Sequence, residues 1–115
     1  MKRIYVAGPY SANNVMDVLH NIRKGIRMSY IIFAEGYAPF SPWLDFHYVL
    51  MDNPERLTVK NFYEYSLAWL EVSDAVFVLP DFENSKGTLA EIERAKELNI
   101  PIVYSLDELF EKIPA

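Results

Sequence analysis

Asp74 to Tyr104 reads as strand, loop, helix, strand, and that order constrains the whole chain more than any other feature. Ala75-Val76-Phe77-Val78-Leu79 is a continuous apolar run of strand length, as expected of a strand buried on both faces. Pro80 ends it, and Asp81 to Gly87 is a polar loop containing a glycine. Leu89, Ile92, Ala95 and Leu98 then recur at three-residue steps, which predicts one face of a helix. Asn99 stops that helix, and Pro101-Ile102-Val103-Tyr104 opens a second strand. Parallel strands joined by a helix cross over right-handed. Ligands of such open sheets sit outside the carboxyl ends of the strands. The loop Asp81 to Gly87 and the first helical turn, with Glu91, are expected at that end.

The preceding residues repeat the alternation. Arg3 to Ala7 predicts a first strand, running into Gly8-Pro9-Tyr10-Ser11-Ala12-Asn13-Asn14, a loop dense in turn formers. Gly8 lets backbone approach a ligand, and Tyr10 and Ser11 offer an aromatic face and hydroxyls. Asn13 or Asn14 is a good N-cap. The helix after it places Val15, Leu19, Ile22, Ile26 and Phe33 on one stripe and ends at Gly36. A short strand follows around Tyr37 to Phe40. Ser41 and Pro42 then suit the N-cap and first position of a short helix through Met51, broken by Asn53-Pro54. A third helix, from about Thr58 to Val72, puts Val59, Phe62, Tyr63, Ser66 and Leu70 on one face, and Leu106 to Lys112 closes the chain. The expectation is one α/β domain over residues 1–115, an open parallel sheet of four or five strands with helices on both faces, Rossmann- or flavodoxin-like.

Composition narrows the function classes. At 115 residues with 51% hydrophobic and 23% charged content, the chain is expected to be an ordinary soluble domain with a single core. Charges interrupt every apolar run, so no membrane span is expected, and Lys2-Arg3 leads straight into a strand without a signal peptide. The absence of cysteine excludes thiol chemistry and is compatible with a cytoplasmic location. With His20 and His47 as the histidines, no metal site is expected. A net charge of −5 argues against a nucleic-acid partner. A small nucleotide remains open, because helix N-termini bind phosphate without net positive charge.

Each candidate residue has a structural reading beside its chemical one. Thr88-x-x-Glu91 matches a capping box, in which the glutamate reaches back to the helix start. The same spacing puts a carboxylate in the first turn, where the helix dipole favours its ionised form. An ionised carboxylate in a cleft is what attack on an anomeric carbon needs. Spacing alone does not separate the two. Ser85-Lys86-Gly87 is either a capping loop or an anion nest. Asp45 and His47 form a candidate acid/base or sugar-hydroxyl pair, or are solvated residues of an exposed helix. Trp43 and Phe46 are base-stacking platforms or core. Asp74 is a strand-opening turn residue or a working acid.

Taken together, Y-V-A-G-P-Y-S at 5–11, P-F-S-P at 39–42, L-A-W-L-E-V-S-D-A-V-F-V-L at 67–79 and S-K-G-T-L-A-E at 85–91 resemble the nucleoside 2-deoxyribosyltransferase superfamily. The likeness spans about residues 3 to 104 and is nearest in flavour to the small 2′-deoxynucleoside 5′-monophosphate N-glycosidases and their short, often phage-encoded relatives. The resemblance implies that Glu91 is the nucleophile at C1′, with a second base or water completing the reaction and no cofactor required. It implies that Gly8, Pro9, Tyr10 and Ser11 contact sugar and phosphate, and that Ser85 and Gly87 hold a 5′-phosphate. Ser41, Trp43 and His47, with Asp45, would face the base. It also implies a homo-oligomer, usually a dimer, acting on a nucleotide or nucleoside.

The chain departs from that pattern at one position. The family carries an aspartate eight residues ahead of the strand-opening aspartate; counting back from Asp74 gives Ser66. A serine cannot protonate a leaving base as a carboxyl does, so the general acid is left unassigned, with Asp45 on the neighbouring segment a candidate substitute. The alternative reading is a catalytically silent nucleotide-binding sensor on the same fold.

Overall fold

The computed structural model describes the backbone of residues 1–115 and every side chain except that of Pro54. Among the described residues, four strands form one parallel sheet: β1 (Arg3–Ala7), β2 (Ala38–Phe40), β3 (Ala75–Val78) and β4 (Ile102–Val103), in the order β2-β1-β3-β4. Four α-helices connect and flank them: α1 (Val15–Ala34), α2 (Val59–Leu70), α3 (Lys86–Glu97) and α4 (Leu106–Lys112). The segment after β2 is a 3₁₀ helix, Pro42–Leu50, followed by a single 3₁₀ turn, Pro54–Arg56. The expected α/β architecture is the one observed.

Side-chain alternation along the strands divides the core in two. Ile4, Val6 and Phe77 pack with Ile32 of α1 and Leu109 of α4. Tyr5, Ala7, Val76 and Val78 point to the other face, against Leu70 of α2 and Ile92 and Ala95 of α3. Consecutive strand residues thus feed opposite layers, as the two-residue pleat requires. Ile4 lies opposite Ala75 and Ala7 opposite Val78. The chain winds from β1 to β2 and then back past β1 to β3, so a topological switch falls between the carboxyl ends of β1 and β3.

The stripe expected on α1 holds only in its middle, where Ile22 and Ile26 pack partly buried against the core. Val15, Leu19 and Phe33 are exposed, whereas Gly25, Ser29 and Ile32 are buried. The reason is Trp43. Its indole lies flat against Gly25, where a Cβ would come within 2.1 Å of the ring. Ser29 is tolerated there because its hydroxyl donates to the Gly25 carbonyl at 2.8 Å. Helix ends follow their local chemistry: Gly36 (φ 98°) and Asn99 (φ 58°) take the left-handed position after α1 and α3. In each case the next residue's amide donates back to the third-last helical carbonyl, Tyr37 to Ile32 and Ile100 to Ala95. Asp74, one of the residues with two readings, accepts the Arg3 amide at 2.7 Å and ties the start of β3 to that of β1.

Candidate active site

A cleft of about 540 Å³ opens at the carboxyl end of β1. Gly8 forms its floor; a Cβ there would meet Leu79 at 2.9 Å and Trp43 at 3.1 Å, so the close approach of these elements requires glycine. The 3₁₀ helix supplies one wall with Asp45, Phe46 and Val49. The mouth of α3 supplies the other with Ser85, Lys86, Gly87, Thr88 and Glu91, and α2 closes the back with Val59, Phe62, Tyr63 and Ser66.

Glu91 does not cap α3. Ser85 is the N-cap, its hydroxyl accepting the Thr88 amide at 3.3 Å and pairing with the Thr88 hydroxyl at 2.8 Å. Thr88 is therefore a buried third residue of the helix, and Glu91 sits one turn inside. At that depth the glutamate cannot reach the N-cap amide, and the capping-box reading is overturned. Its carboxylate instead accepts a hydrogen bond from the phenol of Tyr5, a fully buried residue of β1. Burial raises the Glu91 carboxyl to about 7, against a smaller downward pull from the Tyr5 hydroxyl. The expectation that a helix dipole holds it firmly ionised is thus corrected: removal from water outweighs the dipole.

Across the cleft, the Tyr10 hydroxyl donates to Asp45 at 2.7 Å. Burial, then the Asp45 carboxylate, push the Tyr10 phenol well up, and burial raises Asp45 while the Tyr10 bond pulls it back. The loop that carries Tyr10 is held twice: the Asn21 side chain of α1 donates to the Tyr10 carbonyl at 3.1 Å, and the Trp43 indole N–H donates to the Pro9 carbonyl at 3.0 Å.

Of the residues the sequence singled out, the cleft brings together Gly8, Tyr10, Ser11, Trp43, Asp45, Ser85, Gly87 and Glu91. Pro9, Ser41 and His47 lie outside its lining. Pro9 faces a second cavity of about 340 Å³ on the α1 side of the sheet. Ser41 is buried with its hydroxyl unpartnered, and His47 is exposed with Nδ1 against its own helix, 3.0 Å from the Leu44 carbonyl. Trp43 reaches the lining by one edge but is 1% exposed. It is a core wedge rather than a stacking platform. Phe46, by contrast, borders the cleft.

Tyr5 is the site residue that sequence reasoning passed over, because an aromatic in a buried strand reads as core. Its signal was the hydroxyl: a phenol in a strand buried on both faces must find a partner. Ser66 lines the cleft, 8% exposed, with its hydroxyl next to the Tyr5 phenol. Lys86, Asn84 and Thr88 complete the polar mouth of α3. Among the described residues no cluster of three or more histidine, cysteine or acidic side chains is arranged to hold a metal. Among the described residues, too, no helix is long and apolar enough to cross a membrane.

A family model described as a domain of unknown function, DUF7768, matches residues 2–105. No curated protein matches the chain. Among solved structures, the chain is similar to a 2-deoxyribosyltransferase from the psychrotolerant bacterium Bacillus psychrosaccharolyticus, characterised as a biocatalyst for nucleoside synthesis. The two are 17% identical with a TM-score of 0.63, over 87% of this chain and 69% of that one. At that identity the likeness is one of fold.

Proposed function

The chain belongs to the DUF7768 family, and we propose that this member breaks the N-glycosidic bond of a nucleoside 5′-monophosphate or nucleoside, with Glu91 as nucleophile. One observation carries the reading: Glu91 projects into the cleft at the switch point, held by Tyr5, between an anion-friendly helix mouth and an acidic wall. The fold it shares with a 2-deoxyribosyltransferase supports the same reaction class. In this reading the amides of the first turn of α3, with Ser85 and Gly87, receive the 5′-phosphate, since such amides lack intrahelical acceptors and Lys86 adds positive charge. Gly8, Tyr10 and Ser11 border the sugar. The ionised Glu91 oxygen bonds to C1′, the C1′–N bond breaks, and its electron pair leaves with the base. Water or a second base then displaces Glu91. Val49 and Val59 of the lining are exposed, as are Leu50 and Met51 next in sequence, and in this reading a second copy of the chain covers them.

The rival is nucleotide binding without turnover, and Ser66 favours it: a hydroxyl stands where a carboxyl would supply the proton. Free-base chromatography decides between them. Wild type and Glu91→Gln are incubated with deoxynucleoside monophosphates and nucleosides, and binding is followed by melting temperature. Base release by wild type alone supports the glycosidic reading. Ligand-dependent stabilisation with no release from any substrate sinks it in favour of the rival.

A further inference from the structure

Asp45 is a half-buried carboxyl with a single protein partner. Tyr10 donates to its Oδ1 at 2.7 Å. Among the described residues no cation lies within ion-pairing distance of it. Its second oxygen is therefore an acceptor without a protein donor, in a wall of the cleft otherwise formed by Phe46 and Val49. Half exposed, it is open to water in the cleft, and a ligand that displaces that water gains by offering a donor in its place.

The layout says which part of a nucleotide that is. A phosphate belongs at the mouth of α3, where helix amides and Lys86 lie, and is repelled by a carboxylate on the opposite wall. Glu91, one turn inside α3, marks the anomeric carbon. Beyond it, Asp45 and the apolar sides of Phe46, Val49 and Phe62 are left for the base. An oxo group at the base edge would set its lone pairs against the Asp45 oxygen. An exocyclic amino group would donate to it.

We propose that Asp45, clamped by Tyr10, selects substrates whose base carries an exocyclic amino group over their oxo counterparts. This rests on the glycosidic reading for the orientation of the nucleotide, and it adds the substrate class that reading leaves open. Tyr10 is the positioning residue: with its hydroxyl on one oxygen, the carboxyl plane is fixed and the other oxygen is aimed.

The test is calorimetric binding to folded Glu91→Gln, which keeps the cleft and does not consume ligand. The probes are dCMP against dUMP and dAMP against dIMP, pairs that differ at the amino or oxo position. The amino member of each pair is expected to bind about tenfold or more tightly, because at that position an amino group donates to the Asp45 oxygen where an oxo group sets lone pairs against it. In Glu91→Gln/Asp45→Asn the ratio should fall to about threefold or less, since an amide can present either a donor or an acceptor. Equal or tighter binding of the oxo members overturns the proposal, as does an unchanged ratio in the double variant. Failure of all four to bind overturns it too. Wild-type turnover separates this from the reading beneath it. Amino-selective binding without base release sinks the glycosidic chemistry and leaves the selectivity standing. Base release with no amino preference does the reverse.

Discussion

The Tyr5 hydroxyl donates to the Glu91 carboxylate, joining the middle of β1 to the second turn of α3. The bond explains two things at once. It gives a fully buried phenol its partner, and it fixes the rotamer of a carboxyl that would otherwise be free to swing in the cleft. It also draws Glu91 down from the higher value that burial alone would impose.

Glu91 is destabilising where it is ionised. Its carboxyl titrates at about 7 in the fold against 4.5 in the open chain. Between those values the folded chain holds a proton that the unfolded chain has released, so stability falls as pH rises through that window and is flat above it. Glu91→Gln has no such titration. It should be more stable than wild type by up to about 3 kcal/mol at pH 8, converging on it towards pH 4. Urea unfolding at the two pH values measures the difference.

Tyr5→Phe removes the bond that favours the ionised glutamate. The Glu91 carboxyl then titrates higher, and the acid limb of the pH–rate profile for base release moves to higher pH. The rise of rate with pH in wild type should centre near 7 in the free enzyme, as Glu91 ionises. A pH series of kcat/KM on both proteins reads the shift. The lost hydrogen bond, made to an ionised carboxylate, should cost about 2 kcal/mol of stability at pH 8.

Gly25→Ala tests the wedge beneath the site. In an unencumbered helix that substitution would gain about 1 kcal/mol. Here the new Cβ would lie 2.1–2.4 Å from three atoms of the Trp43 ring. Overpacking of that severity should win, with a net loss of about 2 kcal/mol. Displacement of the indole also threatens its bond to the Pro9 carbonyl. Tryptophan fluorescence and a denaturant titration should report both effects.

Ser85→Ala separates capping from chemistry. Ser85 holds the Thr88 amide, so its loss should cost about 1 kcal/mol and loosen the anion end of the cleft. The reading predicts a larger rise in KM for monophosphates than for free nucleosides. Equal effects on both would place the phosphate elsewhere.

Most of the fold was legible because strand runs and helix stops are local. Ala75 to Val78, Asn14 before α1 and Asn99 after α3 behave as their own chemistry dictates. The α1 stripe was right at Ile22 and Ile26 but missed Gly25 and Ser29, buried residues with no apolar signature whose place depends on Trp43 arriving from 18 positions away. The capping box failed for a related reason. Ser85 and Thr88 compete to cap the same helix, and the shift of its start by three residues moves Glu91 from the end into the wall of the cleft. Asp45 and Tyr10 were each visible, but their bond joins the loop after β1 to the 3₁₀ helix after β2, and no periodicity encodes it.

The central claim is a covalent bond between sugar and Glu91. Wild type turning over a deoxynucleoside monophosphate should be quenched in acid, digested and mapped by mass. The account predicts a deoxyribose-phosphate adduct on the Glu91 peptide, absent from Glu91→Gln, which releases no base. Base release by Glu91→Gln at the wild-type rate would contradict it.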